Sequence, residues 1–156
     1  MSLEPAPFSP IHERLLTFQV GGSIYALPIA SVVEVSEVEP LSSIPTVPSE
    51  TAGVMNHHGD ALPVVRRAAL LDVEQAELPE PAHVLVITPR PTGGARLGMP
   101  VDRIVGLVDG AGASSPGADP VAERRPIDGR VVFVLDPLRL VARAGDAIER
   151  SLLRSE

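Results

Sequence analysis

Short apolar runs punctuated by glycine and proline dominate the chain, and few of them are long enough for a helix. Residues 15–20 and 23–27 flank Gly21-Gly22 and predict two strands around a turn. Residues 32–35 predict a third strand, with Glu34 an outward carboxylate between Val33 and Val35. Residues 39–52, carrying Pro40, Pro45 and Pro48, read as a surface loop. A hairpin over 53–65 follows, turning at Gly59-Asp60, and then one or two helical turns over 66–71. Beyond a polar, proline-bounded stretch at 74–81, strands are predicted at 83–88, 95–100, 101–108 and 131–135, with a flexible loop at 110–117. Asp136-Pro137 offers an N-cap acceptor and a proline at the first helical position. Leu138, Val141, Ile148 and Leu152 fall along one face of the helix that follows, and Gly145 is a candidate break in it. Residues 1–13, with Pro5, Pro7 and Pro10, read as a loose arm.

Self-similarity reorganises this list. Residues 22–35 lie over 94–107 at an offset of 72, with Leu27/Met99, Ile29/Val101, Val32/Ile104 and Val35/Leu107 apolar in both. Residues 59–65 lie over 129–135 at an offset of 70, each followed by a predicted helix. Two units of about 70 residues are implied, with a boundary within 74–81. Strands this short suit small barrels, which leave few exposed edges. The expected fold is mainly β: two small barrels side by side, the first about 14–73 and the second about 82–136, with strand exchange between them left open. A C-terminal helix and tail occupy 137–156. A groove between barrels and any remaining strand edges are natural docking places.

Composition narrows the function. Aromatic residues make up only 3% of the chain, so the core rests on aliphatic side chains. The net charge is −7 and all 13 basic residues are Arg, which removes a Schiff-base or Walker lysine and gives no basic footprint for nucleic acid. Without cysteine there is no disulfide, thiolate nucleophile or iron–sulfur cluster. No apolar run approaches a membrane span and the N-terminus lacks a signal-peptide pattern, so direct membrane insertion is not expected and a cytoplasmic location is.

His57, His58 and Asp60 are the one cluster of interest to a metal, and they define the rival reading of a metal-binding module or enzyme. Neighbouring strand side chains point to opposite faces, so His57 and His58 are expected to diverge, and a polar hairpin tip is the plainer reading. No nucleophile elbow or carboxylate pair accompanies them, and no catalytic residue, metal or cofactor is expected. Arg66-Arg67 and Arg124-Arg125 read as solvated surface or, less often, interface. A structural oligomer formed by edge pairing is a third reading.

The ordered run Phe18 to Pro28, Val32-Val-Glu34-Val35, Pro45-x-x-Pro48, Gly53-Val-Met-Asn56, Gly59, Leu62 to Val65, Leu97 to Ile104 and Val134-Leu-Asp136 resembles the CheW-like family, the coupling domains of bacterial chemosensory arrays. The resemblance covers roughly 14–143 and implies two five-stranded SH3-like barrels and a non-enzymatic chemotaxis adaptor. The implied partners are the regulatory domain of a CheA-type histidine kinase, the cytoplasmic signalling tip of a chemoreceptor, and other CheW-like domains. The implied location is membrane-associated receptor arrays, reached through those partners. Carried over by position, Val32, Glu34, Gly53, Asn56, His58, Gly59 and Arg66 are its partner-binding residues.

Three departures point to a divergent relative that binds only one usual partner, or a different one. Asn56-His57-His58-Gly59 stands where the family has Asn-Leu-Arg-Gly, and Arg66-Arg67-Ala68 where it has Asp-Leu-Arg. A short stretch at 110–128 is expected to abbreviate a strand of the second barrel.

Overall fold

The computed structural model describes residues 13–90 and 92–154, so the expected arm at 1–12 and His12 lie outside the described residues. Ten strands and two helices alternate: β1 (Arg14–Val20), β2 (Ser23–Pro28), β3 (Val32–Glu37), β4 (Ala52–His57), β5 (Asp60–Val65), α1 (Arg67–Leu71), β6 (His83–Ile87), β7 (Leu97–Val101), β8 (Arg103–Asp109), β9 (Val121–Ile127), β10 (Arg130–Leu135) and α2 (Pro137–Arg154). They form two five-stranded sheets, sheet I in the order β8-β1-β2-β10-β9 and sheet II in the order β3-β6-β7-β5-β4.

The duplication survives in three dimensions, but the sequence boundary does not separate the sheets. Each sheet takes strands from both units: β1 and β2 join β8–β10, while β6 and β7 join β3–β5. The exchange is reciprocal. Its single parallel joint is also repeated, since Val134 sits beside Ala26 in sheet I and Val64 beside Gly98 in sheet II. Neither sheet closes by ladder pairing. β8 and β9 remain the edges of one, β3 and β4 the edges of the other.

Three apolar clusters follow from this arrangement. Leu15, Ile24, Ala26, Val132 and Val134 fill the curl of sheet I, and Met55, Leu62, Val64, Val84 and Val86 that of sheet II. The largest lies between the sheets and the helices, with Phe18, Leu27, Leu85, Leu97, Leu70 and Leu140 all fully buried. Leu70 and Leu140 are equivalent in the repeat and anchor α1 and α2 to the same core.

Several local expectations change. The β4–β5 hairpin turns at His58-Gly59, not Gly59-Asp60: both turn residues have positive φ (53° and 92°), the two-residue turn that suits strand twist. β9 is a full seven residues rather than abbreviated. α2 runs through Gly145 without a break, and its innermost positions are Leu140, Ala144 and Ser151. Of the expected face, Val141 and Ile148 pack partly buried against the main core, while Leu138 and Leu152 are exposed. The loop at 39–52 is not purely superficial, since it delivers Val47 to the main core.

Arg67 is not surface. Its guanidinium is buried, pairs with the buried carboxylate of Asp102 and donates to the Pro79 carbonyl at 2.7 Å. Asp102 also accepts the Gly21 N–H at 2.7 Å, so the Arg67–Asp102 pair ties α1, the β1–β2 turn and the linker at 74–81 together. Arg124 lies over the Phe133 ring and Arg125 makes a two-pronged pair with Glu123, so both engage the protein's own surface.

Candidate functional site

The two edge strands β3 and β8 are equivalent in the repeat and share an irregularity. β3 slips register against β6 between Val32 and Glu34, and β8 slips against β1 at Val105, so Val33 and Val105 are the extra residues of matching bulges. Both strands then turn aliphatic side chains to solvent: Val33 and Val35 on one, Val105 and Leu107 on the other, all between 41% and 50% exposed. Within the apolar pattern of the repeat, Leu27/Met99, Ile29/Val101 and Val32/Ile104 pack in or on the main core, whereas Val35 and Leu107 belong to an outer row. The signal that separates the two is position at a sheet edge, which a single strand's sequence does not carry.

Of the residues matched to partner surfaces, four gather at one corner. Glu34 on β3 reaches across to the β4–β5 turn, where its Oε1 accepts from His57 Nε2 at 3.1 Å and His58 Nε2 at 3.2 Å. Asn56 Oδ1 accepts the Gly59 N–H at 2.8 Å and so braces the turn from within. Gly59 holds φ +92° with open space around it. Val32 is half-buried beside this corner, packing on the main core. Gly53 is buried: a Cβ there would lie 2.7 Å from Leu41 Cβ, so it admits the 39–52 loop rather than presenting a surface. Arg66 stands at the far end of the hairpin, roughly 20 Å along β5 at about 3.3 Å per residue. It bonds the Ser49 carbonyl there.

His57 and His58 do not diverge. The expectation of opposite faces holds only while both residues are extended, and His58 at φ 53° has left the strand. Its ring meets that of His57 edge-on with centroids 4.4 Å apart. Asp60, the third residue of the sequence cluster, is exposed on β5 and is not part of this group. Its place is taken by Glu34, 23 residues upstream of His57.

A groove of about 420 Å³ opens between sheet I and the end of α1, lined by Tyr25, Phe133, Val121, Leu71 and Val73 with Asp72, Asp119, Glu123 and Arg124 at its polar parts. Phe18, Tyr25 and Phe133, three of the four aromatic residues, stack in sequence behind it at 6.1 and 5.5 Å. Burial pushes the Tyr25 phenol above its ordinary range, so it stays neutral.

Residues 14–145 match the CheW-like domain. The chemotaxis protein CheW of Rhizobium meliloti is 33% identical over 74 residues, 47% of each chain. That of Treponema pallidum is 25% identical over 103 residues, 61% of this chain and 56% of the relative. The matches thus span about half the length of these curated relatives. The crystal structure of the scaffolding protein TtCheW from Thermoanaerobacter tengcongensis superposes with a TM-score of 0.66 at 17% identity, covering 79% of this chain and 88% of that one, and shares its fold. No helix among the described residues is long and apolar enough to cross a membrane. With the match extending from β1 into α2 across both sheets, this chain belongs to the CheW-like domain family.

Proposed function

We propose that this domain is a non-enzymatic adaptor in chemosensory signalling, coupling a chemoreceptor to the regulatory domain of a CheA-type histidine kinase. The observation that carries the reading is the pair of repeat-related edges. β3 and β8 each offer unpaired backbone groups beside a row of exposed aliphatic side chains, the chemistry by which a partner strand or barrel edge docks. Two such edges on one rigid core let one domain hold two partners at once. The aromatic-backed groove is a further docking surface beside these edges. Family membership supports the same reading, and the adaptor works in the cytoplasm at receptor arrays that its partners tether.

Size-exclusion chromatography of the purified domain with the kinase regulatory domain, and separately with the receptor signalling tip, tests this. Co-elution with each is expected. Co-elution with only one replaces the coupling role by that of a one-sided relative, and elution apart from both overturns the function.

A further inference from the structure

We propose that Glu34, His57 and His58 form a three-ligand site for a zinc-class divalent transition-metal ion, with its remaining coordination position open to solvent. Among the described residues these are the one group of three potential ligand side chains whose donor atoms all lie within 4.8 Å of one another. The donors are two imidazole nitrogens and one carboxylate oxygen, a set that suits zinc and its neighbours and disfavours magnesium and calcium, which take oxygen ligands.

Two of the three ligand–ligand edges are already close to tetrahedral length. With metal–ligand bonds of about 2.0–2.1 Å, the ligand–ligand edge of a tetrahedron is roughly 3.3 Å. Glu34 Oε1 already stands 3.1 and 3.2 Å from the two Nε2 atoms. Without metal, each Nε2 carries a proton and donates it to the carboxylate, which only accepts. Metal binding requires each Nε2 to give up that proton so that its lone pair faces the ion. The site is held by the fold: the positive φ of His58 and Gly59 and the Asn56 brace fix the turn, and His57 Nε2 sits on a side chain only 14% exposed. No arginine among the described residues pairs with Glu34; its ion-pair partners are the two imidazoles.

Position gives the ion a job. Glu34 lies on β3 and His57 on β4, the two edge strands of sheet II, so a bound ion bridges strands that no backbone ladder joins to each other. A bound divalent ion also places positive charge at one end of the exposed β3 row.

The test is calorimetric titration of the tag-free full chain with Zn²⁺, together with Co²⁺ absorption as a signature of tetrahedral nitrogen and oxygen ligation. One ion per chain is expected, with visible Co²⁺ bands and a raised melting temperature. His58→Asn keeps a residue that tolerates the turn, and His57→Gln and Glu34→Gln keep size. Each is expected to weaken binding by at least the 10- to 100-fold that loss of an outer-shell partner costs, and to abolish the Co²⁺ bands. His83→Ala is expected to leave both unchanged. Absence of stoichiometric binding, or binding that survives all three ligand substitutions, overturns the site. Neither outcome depends on kinase or receptor binding, so the adaptor reading stands or falls separately.

Discussion

The two sheets share a plan down to the dihedral angles of their hairpin turns. His58-Gly59 has φ of 53° and 92°, and Asp128-Gly129, at the equivalent place in sheet I, has 51° and 78°. Edge bulges, the parallel joint and the buried helix leucine are also shared. The chemistry around that plan is not. Where sheet II places Glu34 against His57 and His58, sheet I has Gly106, Ile127 and Asp128. Where α2 is capped by Asp136, whose Oδ1 accepts the Leu138 N–H at 2.9 Å, α1 begins at Arg66 with no side-chain cap. Backbone architecture is a constraint both units must meet to bury one core, whereas side chains at edges and turns are free to diverge and carry the individuality of each face.

The largest expected effect tests an asymmetry of the core. The Arg67–Asp102 pair has no counterpart, since the repeat puts Pro137 and Ala30 in those places. Arg67→Ala leaves a carboxylate buried without its cation and is expected to cost about 3–5 kcal/mol in urea denaturation. A loss below 1 kcal/mol would show that the pair is not a stitch between units.

Next comes the parallel joint. Ala26 fits in sheet I, but a Cβ on Gly98 would lie 2.9 Å from Val64 Cγ2 and 3.1 Å from Val84 Cγ1. Gly98→Ala is expected to destabilise by about 1–3 kcal/mol, with most of the loss recovered in the Gly98→Ala/Val64→Ala double variant.

A smaller difference separates the helix starts. Asp136→Ala is expected to lower stability by about 1 kcal/mol through loss of the cap, and Arg66→Ala by less than half as much. The smallest concerns the two departures from the family pattern. His58 and Arg66 lie at opposite ends of one hairpin, so any gains in kinase affinity from His58→Arg and Arg66→Asp should add within about 0.5 kcal/mol. A strong coupling between them would place both against one partner surface.

The repeat was legible because glycine, proline and apolar spacing survive in both units, and so was the α2 start at Asp136-Pro137; β9 was not, since its seven residues include Glu123, Arg124, Arg125 and Pro126. The exchange of β1–β2 and β6–β7 was not, since an apolar run records that a strand is buried but not which strand lies beside it. The site shows the same divide. His57, His58 and Glu34 were each noticed, yet their convergence depends on a positive φ at a non-glycine residue and on the curl of a whole sheet. Arg67 was misplaced for a similar reason, its partner being 35 positions away. α2 buries Leu140 with Ala144 and Ser151, small and unremarkable in sequence, and leaves Leu138 and Leu152 exposed.

The most direct test of the adaptor account is a co-elution assay on two matched edge variants, Val35→Glu on β3 and Leu107→Glu on β8, each checked for an unchanged melting temperature. The account predicts that each variant loses one of the two partners, kinase regulatory domain or receptor tip, and keeps the other. Retention of both partners by both variants would contradict it.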